Sequence, residues 1–221
     1  MPDRLAAFEA VEEYLEAIHR FSSSAEGVST TRLAEHLQVT PASVTGMLRR
    51  LREAGLITYH RYGDIALTAL GERRAHNLIR RHRLAERLLT DVLKVPLEQA
   101  HQEACRLEHA FSPQVATRLA QALGDPLACP HGHPIDAARE DHTIALTEAP
   151  LRRALVVVRL EDESPDMVHY LVMHHLLPGT RCKVLSRDPV GGLIHLEVEG
   201  TPIPLSMSVA QYLRVQRRLE A

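Results

Sequence analysis

The sequence predicts a mainly α chain with a small β component: a winged helix-turn-helix at the front, a helical middle and a small β-barrel at the end. Three observations predict it. Apolar residues recur at three- and four-residue spacing over most of the stretch from Leu5 to Leu123. One pair of short strand-like runs interrupts that pattern, directly after two capped helices. Beyond Pro150 the chain changes to strand-like runs separated by Gly and Pro.

Taken in order, Arg4 to Phe21 reads as an amphipathic helix with Leu5, Phe8, Val11, Tyr14, Leu15 and Ile18 on its apolar face. Ser22 to Gly27 break it. Thr30 or Thr31 can cap a short second helix carrying Leu33, Ala34 and Leu37. Thr40 and Pro41 supply an N-cap and a proline at the first helical position of a third helix, Ala42 to Ala54, with Val44, Leu48 and Leu51 inward and Gly55 as its stop. Leu56 to Thr58 and Ile65 to Leu67 then form a hairpin around Arg61-Tyr62-Gly63-Asp64. Helix, turn, helix and wing is the order of a winged helix-turn-helix.

From Thr68 the helical pattern runs to Val92-Leu93 and stops at Pro96. A further helix from Leu97 to Phe111 carries a seam of Leu97, Ala100, Ala104, Leu107 and Phe111, which suits either a subunit interface or an internal core. Ser112-Pro113 opens another, with Val115, Leu119 and Leu123. Gly124 to Pro150 reads as a connecting segment. Ala154 to Val158, Cys182 to Leu185 and Leu193 to Val198 are the clearest strands of the C-terminal barrel, with Cys182 packed inside and Met173-His174-His175 on a barrel-side helix.

The length, 221 residues, allows two or three modest domains, and a net charge of −2 gives no global field to attract nucleic acid, so any DNA contact must rest on local basic patches. Three widely spaced cysteines fit reduced thiols rather than a disulfide framework. With no signal peptide and no membrane-length apolar run, a cytoplasmic protein is expected.

Fourteen histidines make metal or proton sensing worth testing, and the best candidates are grouped. His101, Cys105 and Glu108 recur at spacings of four and three, with His109 beside them. At about 100° per residue these side chains share one helix face. Imidazole, thiolate and carboxylate on one face is metal-ligand chemistry. His82 and Glu86 repeat the i, i+4 pairing on the preceding helix. Glu13 and Glu16 add two carboxylates at i, i+3, a pair that taken alone reads as a solvated helix face.

The run Arg81-His82-Arg83-Leu84-Ala85-Glu86-Arg87-Leu88-Leu89-Thr90-Asp91, with His101 to His109, closely resembles the diphtheria-toxin-repressor family of metal-dependent transcriptional repressors. The similarity covers nearly the whole chain. It implies a DNA-binding domain over 1–70, a helical metal-binding and dimerisation domain over 71–140, a linker over 141–150 and an SH3-like, FeoA-like domain over 151–221. It also implies a non-enzymatic regulator that binds palindromic double-stranded operator DNA as a homodimer, needs neither a membrane nor a small organic substrate, and represses metal-uptake genes.

Two metal sites per subunit are implied. One uses the position of Glu13 with Cys105, Glu108 and His109, and the ancillary one uses His82, Glu86 and His101. The iron-responsive branch carries Met where this chain has Glu13. The manganese branch has carboxylates at the positions of Glu13 and Glu16, and often one at that of Cys105, so the ligand set is a hybrid. Carboxylates harden a site toward Mn(II) or Fe(II), whereas Cys105 pulls toward Fe(II), Co(II) or Zn(II). Mn(II) is the favoured effector and Fe(II) the second, with Zn(II), Co(II) and Ni(II) able to bind in vitro. The segment Cys129-Pro130-His131-Gly132-His133-Pro134 looks like a metal motif, but the resemblance makes it a connection to the barrel and not a principal site. Where family barrels can lend a Glu and a Gln, this chain has Ser164 and Met167, and Glu163 or Asp166 could substitute after a small shift.

For DNA, Thr40, Ala42, Ser43, Thr45 and Gly46 lie at the N-terminal end of the third helix, the part that enters a major groove, and Thr40 and Ser43 match family positions that touch DNA. Gly46 replaces a Gln of the iron branch. Arg49, Arg50 and Arg52, with His60 and Arg61 on the wing, can meet phosphates. Two other classes fit some of these residues. One is a redox-sensing winged-helix regulator acting through Cys105. The other is a metallohydrolase, which lacks a His-Glu-x-x-His helix and an evident substrate cleft.

Overall fold

The computed structural model describes residues 2–22, 26–59, 64–137 and 142–217, with side chains from Phe8 onward. It divides into two compact units, Met1–Arg81 with Phe111–Pro113, and His82–Ala110 with Gln114–Ala221.

In the first unit, α1 (Pro2–Ser22), α2 (Thr30–His36) and α3 (Pro41–Glu53) precede a two-stranded wing, β1 (Ile57–Tyr59) and β2 (Ile65–Leu67). Ser29 Oγ accepts from Arg32 N at 3.2 Å and starts α2, and Thr40 Oγ1 accepts from Ser43 N at 3.2 Å and starts α3. The wing strands pair antiparallel with Thr58 opposite Ala66. Leu15, Ile18, Leu33, Val44, Leu48, Leu51, Leu56, Ile57 and Ile65 close the core. Phe8, expected on the apolar face of α1, is instead 48% exposed. The tip of the wing, with His60 and Arg61, lies outside the described residues. The helix that follows, α4 (Ala69–Arg87), begins against the wing so closely that a Cβ on Gly71 would sit 2.0 Å from the Leu56 carbonyl oxygen. Arg81 of α4 forms a buried ion pair with Glu12 of α1 and donates to the Phe111 carbonyl at 3.3 Å.

In the second unit, α4 passes directly into a π-helical turn, Leu88–Val92, where the sequence predicts continuous α-helix. The Thr90 hydroxyl donates to the Glu86 carbonyl at 3.0 Å, the kind of back-bonding that disturbs a helical ladder. Next come α5 (Leu97–Leu107), a 3₁₀ turn over Glu108–Ala110, and α6 (Pro113–Ala122). The predicted helix to Phe111 therefore tightens before its end.

The barrel sheet runs β3-β8-β4-β5-β6-β7. Its strands are β3 (Ile144–Ala145), β4 (Leu155–Leu160), β5 (Arg181–Asp188), β6 (Leu193–Val198), β7 (Thr201–Ser206) and β8 (Leu213–Arg217), with α7 (Pro165–Met173) after β4 and α8 (Met207–Ala210) after β7. β3 falls inside the stretch read as a linker and pairs with β8. His174 caps α7 and His175 has a positive φ, so both lie past the helix expected to carry them. Cys182 is buried in β5 as expected. Leu155, Val157, Leu160, Leu171, Val184, Ile194, Leu196 and Val215 fill the interior.

The Cys129–Pro134 turn is fastened on two sides. Cys129 N donates to the His133 carbonyl at 2.8 Å. On the helical side, Arg87 Nε donates to the Ala128 carbonyl at 2.7 Å and Arg83 donates to that of Pro134. On the barrel side, Leu160 N donates to the His131 carbonyl at 2.9 Å. Gly132, at φ +94°, lies so near β4 that a Cβ would be 1.9 Å from the Val158 carbonyl oxygen. Gly132→Ala meets both the strained φ and the clash, so it should destabilise the protein by about 2 kcal/mol or more, read as a lower thermal midpoint.

Candidate metal centre

α4 presents His82 and Glu86 one turn apart, and α5 presents His101 and Cys105 in the same way. The two helices bring these side chains together. His82 Nε2 lies 3.1 Å from His101 Nδ1 and 3.3 Å from Glu86 Oε1. Cys105 Sγ is 4.0 Å from His82 Nδ1 and 3.9 Å from His101 Nε2. Cys105 thus neighbours the residues from which the resemblance separates it.

Glu108, on the 3₁₀ turn, is buried, and its Oε2 lies 2.6 Å from His82 Nδ1. A proton on Nδ1 satisfies that contact and leaves the Nε2 lone pair facing Glu86 and His101, the orientation that carboxylates impose on metal-binding imidazoles. His109 Nε2 lies 3.4 Å from Glu108 Oε1. Glu13 and Glu16 are half-buried on α1 in the first unit.

Three further donors come from places that the sequence reading passes over or holds loosely. Glu163, in the loop between β4 and α7, places Oε2 2.7 Å from His101 Nδ1. His131, with no exposed surface, places Nδ1 2.9 Å from Glu86 Oε1 and donates through Nε2 to the Leu97 carbonyl at 3.3 Å. Cys129 is buried beside them. The ligand atoms of His82, Glu86, His101 and Glu163 all lie within 4.8 Å of one another, and so do those of Glu86, Cys129, His131 and Glu163. His133 supports Glu163 from behind, with Nε2 3.0 Å from Glu163 Oε1 and 2.8 Å from the Leu160 carbonyl. The signal for this second group was the Cys-x-His-x-His spacing, which follows no helix or strand period and becomes a site only once the turn is folded.

The electrostatics mark a place built for positive charge. Burial works against the charged forms of His82, His101 and His131, but their thiol and carboxylate partners outweigh it. His101, facing Cys105, Glu163 and Glu86, is pushed up to about 11. His82 stands well above the usual imidazole range and His131 above it. Burial likewise opposes ionisation of Glu86 and Glu163, yet the surrounding histidines hold both below the carboxylate range. The Cys105 thiol is lowered, against the effect of burial, by His101 and His82. Burial, then Glu86 and Glu163, push the Cys129 thiol well up. Glu86 is fully buried, and its Oε2 has no hydrogen-bond partner. An orphaned buried carboxylate oxygen among imidazoles and thiols fits a divalent transition-metal ion.

On α3, Thr40, Ala42, Ser43, Thr45, Gly46, Arg49, Arg50 and Arg52 are all exposed, while Val44, Leu48 and Leu51 face inward. Nothing lies within 4 Å of a Cβ placed on Gly46. The exposed face is therefore unobstructed at the helix N-terminus. Among the described residues, no helix is long and apolar enough to cross a membrane.

Three family models match in tandem: "Iron dependent repressor, N-terminal DNA binding domain" over residues 7–65, "Iron dependent repressor, metal binding and dimerisation domain" over 68–137, and "FeoA domain" over 144–217. A solved manganese-dependent transcriptional repressor in complex with manganese superposes with a TM-score of 0.86 at 30% identity, covering 94% of this chain and 100% of that one. The chain belongs to the diphtheria-toxin-repressor family of metal-dependent repressors. ScaR with bound Cd²⁺ gives 0.81 at 31% identity, over 94% of this chain and 99% of that one. The iron-dependent repressor IdeR of Mycobacterium leprae is 29% identical over 226 residues, covering 95% of this chain and 97% of its own length. These relatives are repressors and not enzymes.

The shifted groups set a pH dependence for the metal-free protein. A histidine raised above 6.5 contributes stability below that pH, which is lost as the pH climbs through its folded value; a carboxylate lowered below 4.5 contributes above that pH, which is lost as the pH falls through its folded value. With chelator present, the cluster's contribution should be greatest between these two values. The thermal midpoint should fall as the buffer is taken from about pH 6.5 to about pH 9, and His101→Gln should flatten that fall.

Proposed function

We propose that the chain is a metal-activated repressor that binds palindromic operator DNA as a cytoplasmic homodimer and silences metal-uptake genes. The observation that carries the reading is Glu86, a carboxylate buried among histidines with one oxygen unpartnered. His82, Glu86 and His101, with Cys129, His131 and Glu163, would hold metal in the second unit. Glu13, Glu16, Cys105, Glu108 and His109 are assigned to a further site on the strength of the family resemblance. A bound divalent cation supplies positive charge to carboxylates that otherwise depend on protonated histidines.

Mn(II) is the proposed effector and Fe(II) the second choice. Glu13, Glu86 and Glu163 supply hard oxygens, and the neutral imidazoles suit either ion. Zn(II), Co(II) and Ni(II) bind such donors in vitro by intrinsic affinity. For DNA, Thr40, Ala42, Ser43, Thr45 and Gly46 would face base edges, and Arg49, Arg50, Arg52 and the wing's Arg61 would face phosphates. Metal acts as a switch to the extent that it binds the DNA-competent state more tightly, by several kcal/mol for near-complete switching.

Operator binding titrated with Mn(II), Fe(II), Co(II) and Zn(II), each against a chelator control, tests the reading. Affinity should rise with metal, first with Mn(II). Equal affinity in the chelated protein would overturn the function, and a response to Fe(II) but not Mn(II) would overturn the choice of effector. Glu108→Ala and His109→Ala should abolish the metal-dependent gain while the circular dichroism spectrum stays folded. Arg50→Ala should weaken binding alike on all sequences and reduce the salt slope by about one.

The exposed Cys105, with its lowered thiol pKa, favours one alternative, redox sensing. Cys105→Ser separates the two readings. It should retune metal preference in a metal sensor, whereas loss of an oxidant response with metal response unchanged would favour the thiol switch.

A further inference from the structure

The exposed face of α3 is built almost entirely from small residues, and this limits which side chain can read a base pair. Ala42, Gly46, Arg49 and Glu53 are exposed and recur at spacings of four, three and four. At about 100° per residue they fall within about 60° of one another, opposite the buried Val44, Leu48 and Leu51. The first two turns offer no fork of hydrogen-bond donors. Ala42 and Gly46 have no polar side-chain atom, Thr45 donates its hydroxyl to the Pro41 carbonyl at 3.0 Å, and the hydroxyls of Thr40 and Ser43 bond each other at 2.9 Å. Arg49 is the first residue along the ridge that carries such a fork.

Gly46 gives Arg49 its room. Long helical side chains lean back over the preceding turn, so Arg49 covers the surface that bears Thr45 and Gly46. A Cβ at Gly46 would meet nothing within 4 Å, so the ridge there is open down to the backbone. The setting of Arg49 also suits a base better than a phosphate. Its Nε lies 3.6 Å from Glu53 Oε1, with both side chains largely exposed. A carboxylate so close repels a phosphate, while a contact through Nε leaves both terminal nitrogens for a ligand. Among the described residues, Arg50 and Arg52 have no carboxylate partner, which suits them to the DNA backbone.

We propose that Arg49 is the base-reading residue of α3, donating through its two terminal nitrogens to O6 and N7 of one guanine across the space left open at Gly46. The inference rests on the reading above that α3 enters a major groove, and it moves Arg49 from the phosphates to a base pair. In the major groove guanine alone presents two neighbouring acceptors, so the arginine fork selects it over the other bases. Specificity then comes from the third turn of the helix, and the small residues before it let the backbone approach the DNA closely.

The test selects binding sites from a random duplex library with the full-length protein loaded with Mn(II), then measures affinity for the selected site and its single-base-pair variants. The expected site holds an invariant G·C pair in each half, with replacement of that pair costing about tenfold or more in affinity. Arg49→Ala should bring discrimination at that pair close to unity, keep the preferences elsewhere and leave the salt slope unchanged. Gly46→Leu, which fills the gap without touching Arg49, should produce the same loss at the same pair. Unchanged circular dichroism in both variants shows that the loss is not unfolding. A site without an invariant G·C pair overturns the proposal. So does an Arg49→Ala protein that binds all duplexes alike more weakly with a salt slope reduced by about one, the signature of a phosphate contact. Full discrimination in Gly46→Leu overturns it too. If the chelated protein selects the same site with equal affinity while Arg49→Ala loses the guanine, the metal-activated reading fails and the role of Arg49 stands. Metal-dependent binding in which Arg49→Ala still prefers the guanine gives the reverse outcome, and a library from which no sequence is selected overturns both.

Discussion

A single carboxylate organises the second unit. Glu86 has no solvent exposure, and histidines from α4, α5 and the Cys129–Pro134 turn converge on its Oε1. Burying an ionised carboxylate is costly unless positive charge and hydrogen bonds come with it. In the metal-free protein the histidines provide both, at the expense of taking up protons in surroundings that disfavour their charge. Elements distant in sequence are thus committed to one small volume by the need to neutralise one side chain. A divalent cation answers the same need more completely, which links the stability of this unit to the metal reading.

The first unit carries a charge problem of a different kind. Glu12 and Arg81 are buried against each other, with the guanidinium also reaching the Phe111 carbonyl. A buried pair is weak evidence for net stability, but losing one partner strands the other. Arg81 directly precedes His82, and Glu12 directly precedes Glu13. Two proposed ligands therefore sit next in sequence to residues with little freedom to move.

Helical periodicity made most of the fold readable in advance. The capped α2 and α3, the wing strands and the pairing of His82 with Glu86 and His101 with Cys105 all follow from local rules that hold within a few residues. The rest depends on contacts between distant parts of the chain. The Cys129–Pro134 turn has no periodic signature, and its donors converge only because Arg83, Arg87 and Leu160 fasten it on both sides. Glu163 was within reach of sequence reasoning, since the loop that bears it was identified and only the register was open. β3 was hidden in a segment whose composition reads as a connection. The π turn after Glu86 has no counterpart in apolar spacing. Phe8 satisfied the periodicity of α1 yet stands exposed, because spacing does not say where the neighbouring elements stop.

β7 contains Pro202 and Pro204, residues that by themselves argue against a strand. Their placement explains why they are tolerated. Val198 and Thr201 close a two-residue turn over Glu199 and Gly200, both at positive φ. In that register, Thr201, Ile203 and Leu205 bond to β6, whereas the nitrogens of Pro202 and Pro204 point away from it. β7 is also the last strand of the sheet. The free rim of the barrel thus presents ring carbons at two places where an amide would otherwise invite a further strand, so runaway sheet-to-sheet polymerisation is blocked along that side. A chain that carries a match to a dimerisation domain gains from having this uncontrolled route to self-association closed.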